Sequence, residues 1–266
     1  MKFAHLKAVA GALALSVALA GTAQAQIVGD SSDWDNVDIG VSTVSAGTVH
    51  VPGRVGIGVP NTGLTTRIDF QGLQGVLGTD GNGVTTFTAT TTDVDDHSTY
   101  GRFDYAKVSG ADLYFGEWTQ TGDVTDGDHT VYYGGTNATA SGNVPTNATA
   151  VYAVKGISDY QNRGILQGQF NASFTSGGNG SLSGYVQNSG ATYRVNIGSA
   201  AISGGFISSS NAVASNPTAS TNFATGGNVS GRFFGSSAEA LAAIVTFGDR
   251  QYDTAVGGHR TSLTPN

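Results

Sequence analysis

The stretch NVSGRFFGSSAEALAAIVTFGD, which spans Asn228–Asp249, decides the fold class of this chain. It predicts a strand that ends in Gly-Arg-Phe-Phe-Gly, then one tight helical turn, then a closing strand. The segment 236–239, Ser-Ser-Ala-Glu, can begin the turn because a hydroxyl and a first-turn carboxylate can accept hydrogen bonds from free amide groups. The segment 244–247, Ile-Val-Thr-Phe, is β-branched and aromatic, so we expect the chain to return to a sheet there.

The composition of the whole chain agrees with an all-β protein. Its 266 residues include 40 glycines but only 5 prolines, and charged residues make up 12%. Such a composition is typical of short strands joined by tight turns. The formal net charge is −7, which argues against a nucleic-acid partner because nucleic acids select basic surfaces.

The first 25 residues have the pattern of a secretory signal peptide. Lys2 and Lys7 precede a small, apolar run over 8–20, and Ala-Gln-Ala at 23–25 is a typical cleavage site. The chain has no cysteine, so it can carry neither a lipidated cysteine nor a disulfide. We therefore expect a secreted protein that reaches the extracellular space through the Sec pathway and the periplasm. The chain lacks a clear lipid-facing set of residues and a final aromatic strand, so we expect it not to be membrane-embedded.

Two domains are predicted after the signal peptide. A break rich in Gly, Asn, Ala and Thr runs over 134–149 and contains Pro145. It separates an N-terminal ligand-binding domain, 26–146, from a C-terminal domain, 147–266. The second domain contains seven or eight short strands at the spacing of a sandwich or barrel, with a looser polar connection expected over 211–223.

Three segments together resemble the hemophilin family of secreted haem-binding proteins. They are YFGEW at Tyr114–Trp118, the break from Pro145 to Gly156, and the Gly231–Glu239 part of the hairpin. The resemblance implies an N-terminal β-rich haem-binding clamp domain followed by a C-terminal eight-stranded antiparallel β-barrel like that of transferrin-binding protein B. It also implies haem b as cofactor, export through a Slam-type translocator and delivery to a TonB-dependent outer-membrane haem receptor. One departure is that Glu239 is followed by Ala-Leu-Ala-Ala rather than Gly-Gly.

Histidine and tyrosine are the remaining candidates for iron ligation. There is no cysteine, and the single methionine is Met1, which would leave with the signal peptide. Our hypothesis is a bis-histidine site that uses His129 and His50. His129 follows an acidic loop and precedes two tyrosines, although it can also be a solvated loop histidine. His50 precedes a Pro-Gly turn that can hold its ring, although a half-exposed strand histidine is an equal alternative.

His97 is the alternate ligand. Three neighbouring aspartates at 93, 95 and 96 favour its protonated form, which cannot bind iron, yet a carboxylate on one ring nitrogen can also orient the other toward a metal. His259 lies near the end of the predicted barrel, where we expect it to be solvated.

Aromatic and basic residues of the first domain are candidates for the rest of a haem pocket. Tyr105, Tyr132 and Tyr133 can pack against a porphyrin, or they can form the core of their own domain. Arg54, Arg67 and Arg102 can meet the propionates, and Lys107 is a fourth candidate.

Other functional classes find less support. The acidic segment 123–128 lacks the spacing of an EF-hand loop, and no G-x-S-x-G, H-E-x-x-H or Gly-Lys-Ser/Thr motif occurs, so we expect no enzyme. The alternative to a haem-binding protein is a secreted β-barrel surface protein that binds a host or sibling protein without haem.

Overall fold

The computed structural model describes residues 26–88 and 99–266. The predicted signal peptide, His97 and the aspartates beside it lie outside the described residues. In the described part, the chain forms two sheets and a closed barrel, which confirms the predicted all-β class with a C-terminal eight-stranded antiparallel barrel. No helix in these residues combines the length and hydropathy of a membrane-spanning segment.

The first half of the chain forms two antiparallel sheets. The larger sheet has five strands, in the spatial order β1 (Val28–Ser31), β8 (Thr130–Gly135), β7 (Leu113–Thr119), β6 (Arg102–Lys107) and β5 (Val84–Thr88). The smaller sheet has three, in the order β2 (Asp38–Val41), β3 (Val55–Val59) and β4 (Leu64–Asp69). Helix α1 (Phe70–Leu77) follows β4 directly.

The second half forms the barrel. Its strands are β9 (Ala148–Ile157), β10 (Leu166–Phe174), β11 (Asn179–Gln187), β12 (Arg194–Ser203), β13 (Phe206–Asn216), β14 (Thr221–Phe234), β15 (Ala240–Thr246) and β16 (Thr254–Pro265). A short helix, α2 (Tyr160–Arg163), joins β9 to β10. Consecutive strands pair with one another, and β16 pairs back onto β9, which closes the ring.

Apolar side chains, which alternate with polar residues along the strands, fill the interior of the barrel. Along β10, Leu166, Phe170, Ala172 and Phe174 are buried in the interior core, while the residues between them are largely exposed. Because strand side chains alternate between the two faces, this pattern places apolar groups inside and amides or hydroxyls outside. The interior is therefore a packed core of side chains.

Four local expectations were wrong. The segment 211–223 is not a loose connection but contains the hairpin of β13 and β14. Ala240–Ala243 continues as strand β15 rather than a helical turn, since both faces of this strand are covered. Neither β1, which lies within 27–36, nor α1 was predicted from the sequence. Around His50, an expected strand is replaced by turns and the isolated bridge between Ala46 and His50.

The five-stranded sheet is covered on both faces. Along β7, Tyr114 and Trp118 face the small sheet and α1, while Leu113 and Phe115 face the barrel. The barrel side of this contact is formed by outward residues of β15 and β16, such as Ala242 and Ile244. The two halves of the chain therefore share a continuous apolar interface.

Gly257 allows the sheet to approach the barrel. A Cβ at this position would lie 2.2 Å from the Phe115 ring. We expect Gly257→Val to destabilise the protein by about 3 kcal/mol, since overpacking of a tight contact forces backbone shifts. Denaturant unfolding measures the effect, and Gly248→Val serves as control because open space surrounds a Cβ there. Equal stability of the two variants would contradict the tight interface.

Candidate functional site

His50 has one ring nitrogen held and the other available. Its Nδ1 lies 3.1 Å from Oδ2 of Asp69. An ionised carboxylate can only accept a hydrogen bond, so Nδ1 carries a proton, and in the neutral ring the lone pair is therefore on Nε2. Within residues 26–88 and 99–266, Nε2 has no hydrogen-bond partner, and 17% of the side chain is exposed. In many metal sites a carboxylate binds one ring nitrogen of a histidine in this way and orients the other nitrogen toward the metal.

Asp69 organises the surroundings of His50. The residue ends β4 and is the N-cap of α1, where Oδ1 accepts a 2.6 Å hydrogen bond from the Gly72 amide. Oδ2 also accepts from the Val51 amide at 3.0 Å, and Nη1 of Arg54 lies 3.3 Å from Oδ1. Burial alone would raise the pKa of Asp69, but the two amides, His50 and Arg54 outweigh it and lower the pKa. The carboxylate therefore stays ionised beside the imidazole.

Gly72 permits the close approach of α1 to the histidine. A Cβ at Gly72 would lie 2.3 Å from the Val49 carbonyl oxygen and 2.8 Å from Nδ1 of His50. Any side chain there would displace the histidine loop. His50, Arg54, Asp69 and Gly72 are called the His50 site below.

Apolar side chains are exposed on both segments that flank the His50 site. Val49 precedes the histidine and is 38% exposed, while Val76 on α1 is 64% exposed and Leu77 44%. Val76 follows Gly72 by four residues, so it lies on the helix face that points toward the histidine loop. These side chains offer exposed apolar area beside the His50 site.

The three arginines predicted from the sequence have different partners. Arg54 lies in the His50 site and its side chain is partly exposed, so it can still donate to a ligand. Arg67 forms a 2.7 Å ion pair with Asp38 on the small sheet. Arg102 donates to Asp104 from Nε at 2.6 Å. The structure therefore brings only Arg54, among these three, into contact with the His50 site.

The three tyrosines lie in the interior. Tyr105 and Tyr132 pack around Phe70 at ring-centroid distances of 5.0 and 5.9 Å, and the Tyr105 hydroxyl donates to the Phe70 carbonyl at 3.0 Å. Tyr133 faces the barrel, where its ring meets Phe234 edge-on. All three are buried. In this arrangement they form the core of their domain, which is the alternative reading of the sequence.

His129 is completely buried between the two halves of the chain. Its Nε2 lies 2.8 Å from Oε2 of Glu117, and its Nδ1 lies 2.6 Å from the Arg250 carbonyl oxygen. Both partners are acceptors, so both ring nitrogens must donate and the ring is an imidazolium. Burial alone would lower the pKa of His129, but Glu117 and the Arg250 carbonyl raise it. An imidazolium has no lone pair for iron, and the structure does not bring His129 together with His50.

Glu117 completes this interdomain network. Besides His129, its carboxylate accepts 2.6 Å hydrogen bonds from the amides of Asp159 and Tyr160, at the start of α2. Burial alone would raise the pKa of Glu117, but His129 and the two amides lower it. Sequence reasoning did not single out Glu117 or Asp69. The N-cap signal of Asp69, an Asp before Phe-Gln-Gly-Leu, could have identified that residue.

Family models match both halves of the chain. A model described as the HphA N-terminal heme-binding domain matches residues 22–130, and one described as the HphA C-terminal domain matches residues 142–260. The chain belongs to the hemophilin family. The resemblance inferred from three short segments is thereby confirmed, and the first matched region of this hemophilin contains the whole His50 site.

Solved structures of transferrin and lactoferrin binding proteins are similar to this hemophilin at low identity. Transferrin binding protein B from serogroup B Neisseria meningitidis is 16% identical with a TM-score of 0.41, over 60% of this chain and 34% of that one. A mutant of the same kind of protein from Actinobacillus pleuropneumoniae H49 is 15% identical with a TM-score of 0.39, over 89% and 100% of the two chains. The N-lobe of lactoferrin binding protein B of Moraxella bovis is 14% identical with a TM-score of 0.31, over 60% and 80%. The present chain thus spans about a third of the N. meningitidis protein.

The residues of the His50 site fit a haem group. An oriented imidazole with a free Nε2 suits the iron, the exposed valines and leucine suit a porphyrin face, and Arg54 suits a propionate. Family membership therefore supports haem binding by this chain.

Proposed function

We propose that this protein is a secreted hemophore that captures haem b through axial ligation by His50 and delivers it to an outer-membrane receptor. The observation that carries the proposal is the pairing of His50 with the buried Asp69. This contact orients the ring through Nδ1 and does not engage Nε2. Haem supplies the iron that accepts this lone pair.

The neighbouring residues would hold the rest of the group. Val49, Val76 and Leu77 exclude water from the porphyrin face, and burial of their exposed apolar area favours binding. Arg54 donates to Asp69 from Nη1 and can direct its remaining donors to a carboxylate.

A second axial histidine would make the iron six-coordinate and low-spin. His97 is the proposed partner of His50, because His129 would first have to lose both hydrogen bonds and a proton. The pair predicted from the sequence, His129 and His50, is the competing hypothesis. The ferric absorption spectrum of His97→Ala and His129→Ala distinguishes them: loss of the low-spin spectrum identifies the ligand.

The proposed export and delivery rest on the sequence and on the family. The segment 1–25 has the features of a signal peptide, and the hemophilin family supports a Slam-type translocator and a TonB-dependent haem receptor as partners. Deletion of 2–25 should leave the protein inside the cell, and an immunoblot of the medium tests this.

Titration of the purified chain with hemin tests the binding function. A sharp Soret shift with a stoichiometric endpoint supports the hemophore. A featureless, nonsaturating change would instead favour a surface protein that binds another protein through the same fold without haem.

The contact between Asp69 and His50 leads to a separate expectation. Asp69→Asn should weaken hemin binding about 10- to 100-fold, since loss of an orienting carboxylate has effects of this size at metal sites. Its ferric spectrum should also shift, because the imidazole becomes a poorer donor. Hemin titration measures both. Asp38→Asn is the control, as this carboxylate pairs with Arg67 on the small sheet, and equal affinities of the two variants would contradict the role of Asp69.

A further inference from the structure

One side of the barrel points away from the first domain. The first domain packs on outward residues of β15 and β16, and β12 lies four strands from β16 in either direction around the ring. Strand β12 and its neighbours β10 and β11 therefore form the side opposite the domain interface. Their apolar side chains are buried in the barrel core, so the alternate side chains point outward. These outward side chains of β10, β11 and β12 are called the far wall below.

The far wall lies in a part of the chain that has no carboxylate side chain. Residues 160–238 contain no aspartate or glutamate, although the full chain has a formal net charge of −7. Their charged side chains are three arginines, at positions 163, 194 and 232. Among the residues that the structure describes, Arg194 contacts the Gln187 amide and the Tyr185 ring and forms no ion pair. Its positive charge is therefore available to an anionic ligand.

Tyr185 is an exposed aromatic residue on β11, the middle strand of the far wall. The residue is 39% exposed, and the guanidinium carbon of Arg194 lies 4.2 Å from its ring centroid. Tyr185 pairs directly with Gln169 on β10 and with Asn196 on β12, and both of these are exposed. Residues directly opposite one another share a face, with Cβ atoms about 4.5–5.5 Å apart. An amide side chain therefore flanks the tyrosine on each side.

The next row of the far wall contains Arg194 itself. Gln187 pairs with Gln167 on β10 and with Arg194 on β12. Arg194 donates to Oε1 of Gln187 from Nε at 2.9 Å and from Nη2 at 2.6 Å. These two hydrogen bonds and the tyrosine ring hold the guanidinium in place, and they leave Nη1 as a charged donor for a ligand.

The amides of the far wall also offer mainly donors. Oδ1 of Asn196 accepts a 2.8 Å hydrogen bond from the Gly198 amide, so its NH₂ group remains for a ligand. Oε1 of Gln187 accepts both hydrogen bonds from Arg194, and its NH₂ group remains as well. A ligand with many oxygen acceptors and a negative charge matches this set, because the far wall has a surplus of donors and an arginine without a counter-charge.

We propose that the far wall binds a carboxylated saccharide, one that contains a hexuronic or a nonulosonic acid. Arg194 binds the carboxylate, while the amides of Gln187 and Asn196 bind hydroxyl and ring oxygens. Tyr185 lies beside the C–H groups of a sugar ring, which the electron-rich face of an aromatic ring attracts. The far wall shares no residue with the His50 site, so the proposal does not depend on haem binding.

Titration of the ¹⁵N-labelled chain with 3′-sialyllactose and with a hyaluronan tetrasaccharide tests the proposal. The side-chain NH₂ groups of Gln187 and Asn196 give their own NMR signals and report on the far wall directly. At least one saccharide should shift both signals along a single saturable curve, and the tighter ligand identifies the acid. Lactose and acetate test the neutral body and the carboxylate separately, and both should bind more weakly. No saturable shift with either saccharide, or equal affinity for lactose or acetate, would overturn the proposal.

Variants of the two central side chains test their roles. Arg194→Gln should bind the saccharide about tenfold more weakly, the size expected for one charge-assisted contact. Tyr185→Ala should also lose affinity, because it removes the ring beside the sugar and the support of the guanidinium. Both residues lie on the outside of the barrel, and thermal unfolding confirms that the variants are folded. Parent affinity in both variants would contradict the proposed site.

The barrel offers a matched control pair. The guanidinium carbon of Arg232 lies 4.1 Å from the Phe206 ring centroid, and Phe206 is 54% exposed. Phe206 pairs with Ser203 at the other end of β12, roughly 30 Å along the strand from Arg194. Arg232→Gln and Phe206→Ala should therefore bind the saccharide like the parent chain. If Arg232→Gln weakened binding as much as Arg194→Gln, the proposal would fail, whereas a failure of hemin binding would leave this result untouched.

Discussion

His50→Ala is expected to weaken hemin binding by at least about 100-fold, more than loss of an orienting carboxylate does. The variant removes the nitrogen that would bind iron and leaves Asp69 with its three other partners, the amides of Val51 and Gly72 and the Arg54 guanidinium. Asp69 therefore remains satisfied, and the unfolding free energy should change little. Hemin titration followed at the Soret band measures the affinity, and thermal unfolding confirms the fold.

Two other histidines provide controls for this experiment. His259 is exposed in the middle of β16, so His259→Ala should keep the affinity and spectrum of the parent chain. His129→Ala should unfold more easily but, if it is folded at the assay temperature, should still show the parent spectrum. If His50→Ala bound hemin normally and His129→Ala did not, the assignment of His50 as the ligand would be wrong.

Glu117→Ala is expected to lower the free energy of unfolding by about 3–5 kcal/mol, the usual cost of removing one partner from a buried ion pair. The imidazolium of His129 would then lack its counter-charge, and the amides of Asp159 and Tyr160 would lose their acceptor. Denaturant unfolding measures the change. Asp38→Ala is the control, because its partly exposed pair with Arg67 should contribute less than about 1 kcal/mol. Similar losses in both variants would contradict a special role for the interdomain network.

The same network should make stability depend on pH. The folded-state pKa of His129 is raised above 6.5, so its contribution is complete below that pH and is lost as the pH rises through the folded-state pKa. The folded-state pKa of Glu117 is lowered below 4.5, so its contribution is complete above that pH and is lost as the pH falls through the folded-state pKa. The contribution of the pair should therefore be greatest between pH 4.5 and 6.5.

A second group titrates near the network and has to be separated from it. Burial raises the pKa of Asp253 to about 7, so its ionisation also lowers stability as the pH rises toward neutrality. Asp253→Asn removes this titrating carboxyl group and keeps an acceptor for the Phe247 amide. In that background, the thermal unfolding midpoint should still fall above pH 6.5, and His129→Gln should abolish the fall. A midpoint that stays flat in the Asp253→Asn background would contradict an imidazolium at His129.

The interdomain network gives a physical reason for the placement of His129. The residue follows an acidic loop, which suggested solvent access, but β8 brings it beside Glu117 on the neighbouring strand and beneath the Arg250 carbonyl. Its partners lie 12 and 121 positions away in the chain. No local pattern could indicate that both of its nitrogens donate hydrogen bonds.

The sequence predicted His50 as a candidate iron ligand, but it did not predict the contact that holds its ring. The Pro-Gly turn after His50 suggested a rigid ring, whereas the ring is held by Asp69, which is 19 residues away. Asp69 reaches it because β4 passes directly into α1 and because Gly72 has no side chain. Similarly, the sequence allowed Tyr105 and Tyr132 to pack against a porphyrin or to form the core of their domain. Their packing around Phe70 shows that they are core residues.

The amino-acid sequence by itself determined the all-β class, the closed barrel implied by the final hairpin and the hemophilin family, because strand alternation, turn residues and short motifs are local properties. The tertiary structure alone decided which histidine keeps a free nitrogen and which tyrosines are interior. Those features depend on side chains that are distant in the chain and close in space, and a hydrogen-bond partner acts over a few ångströms whatever its position in the sequence.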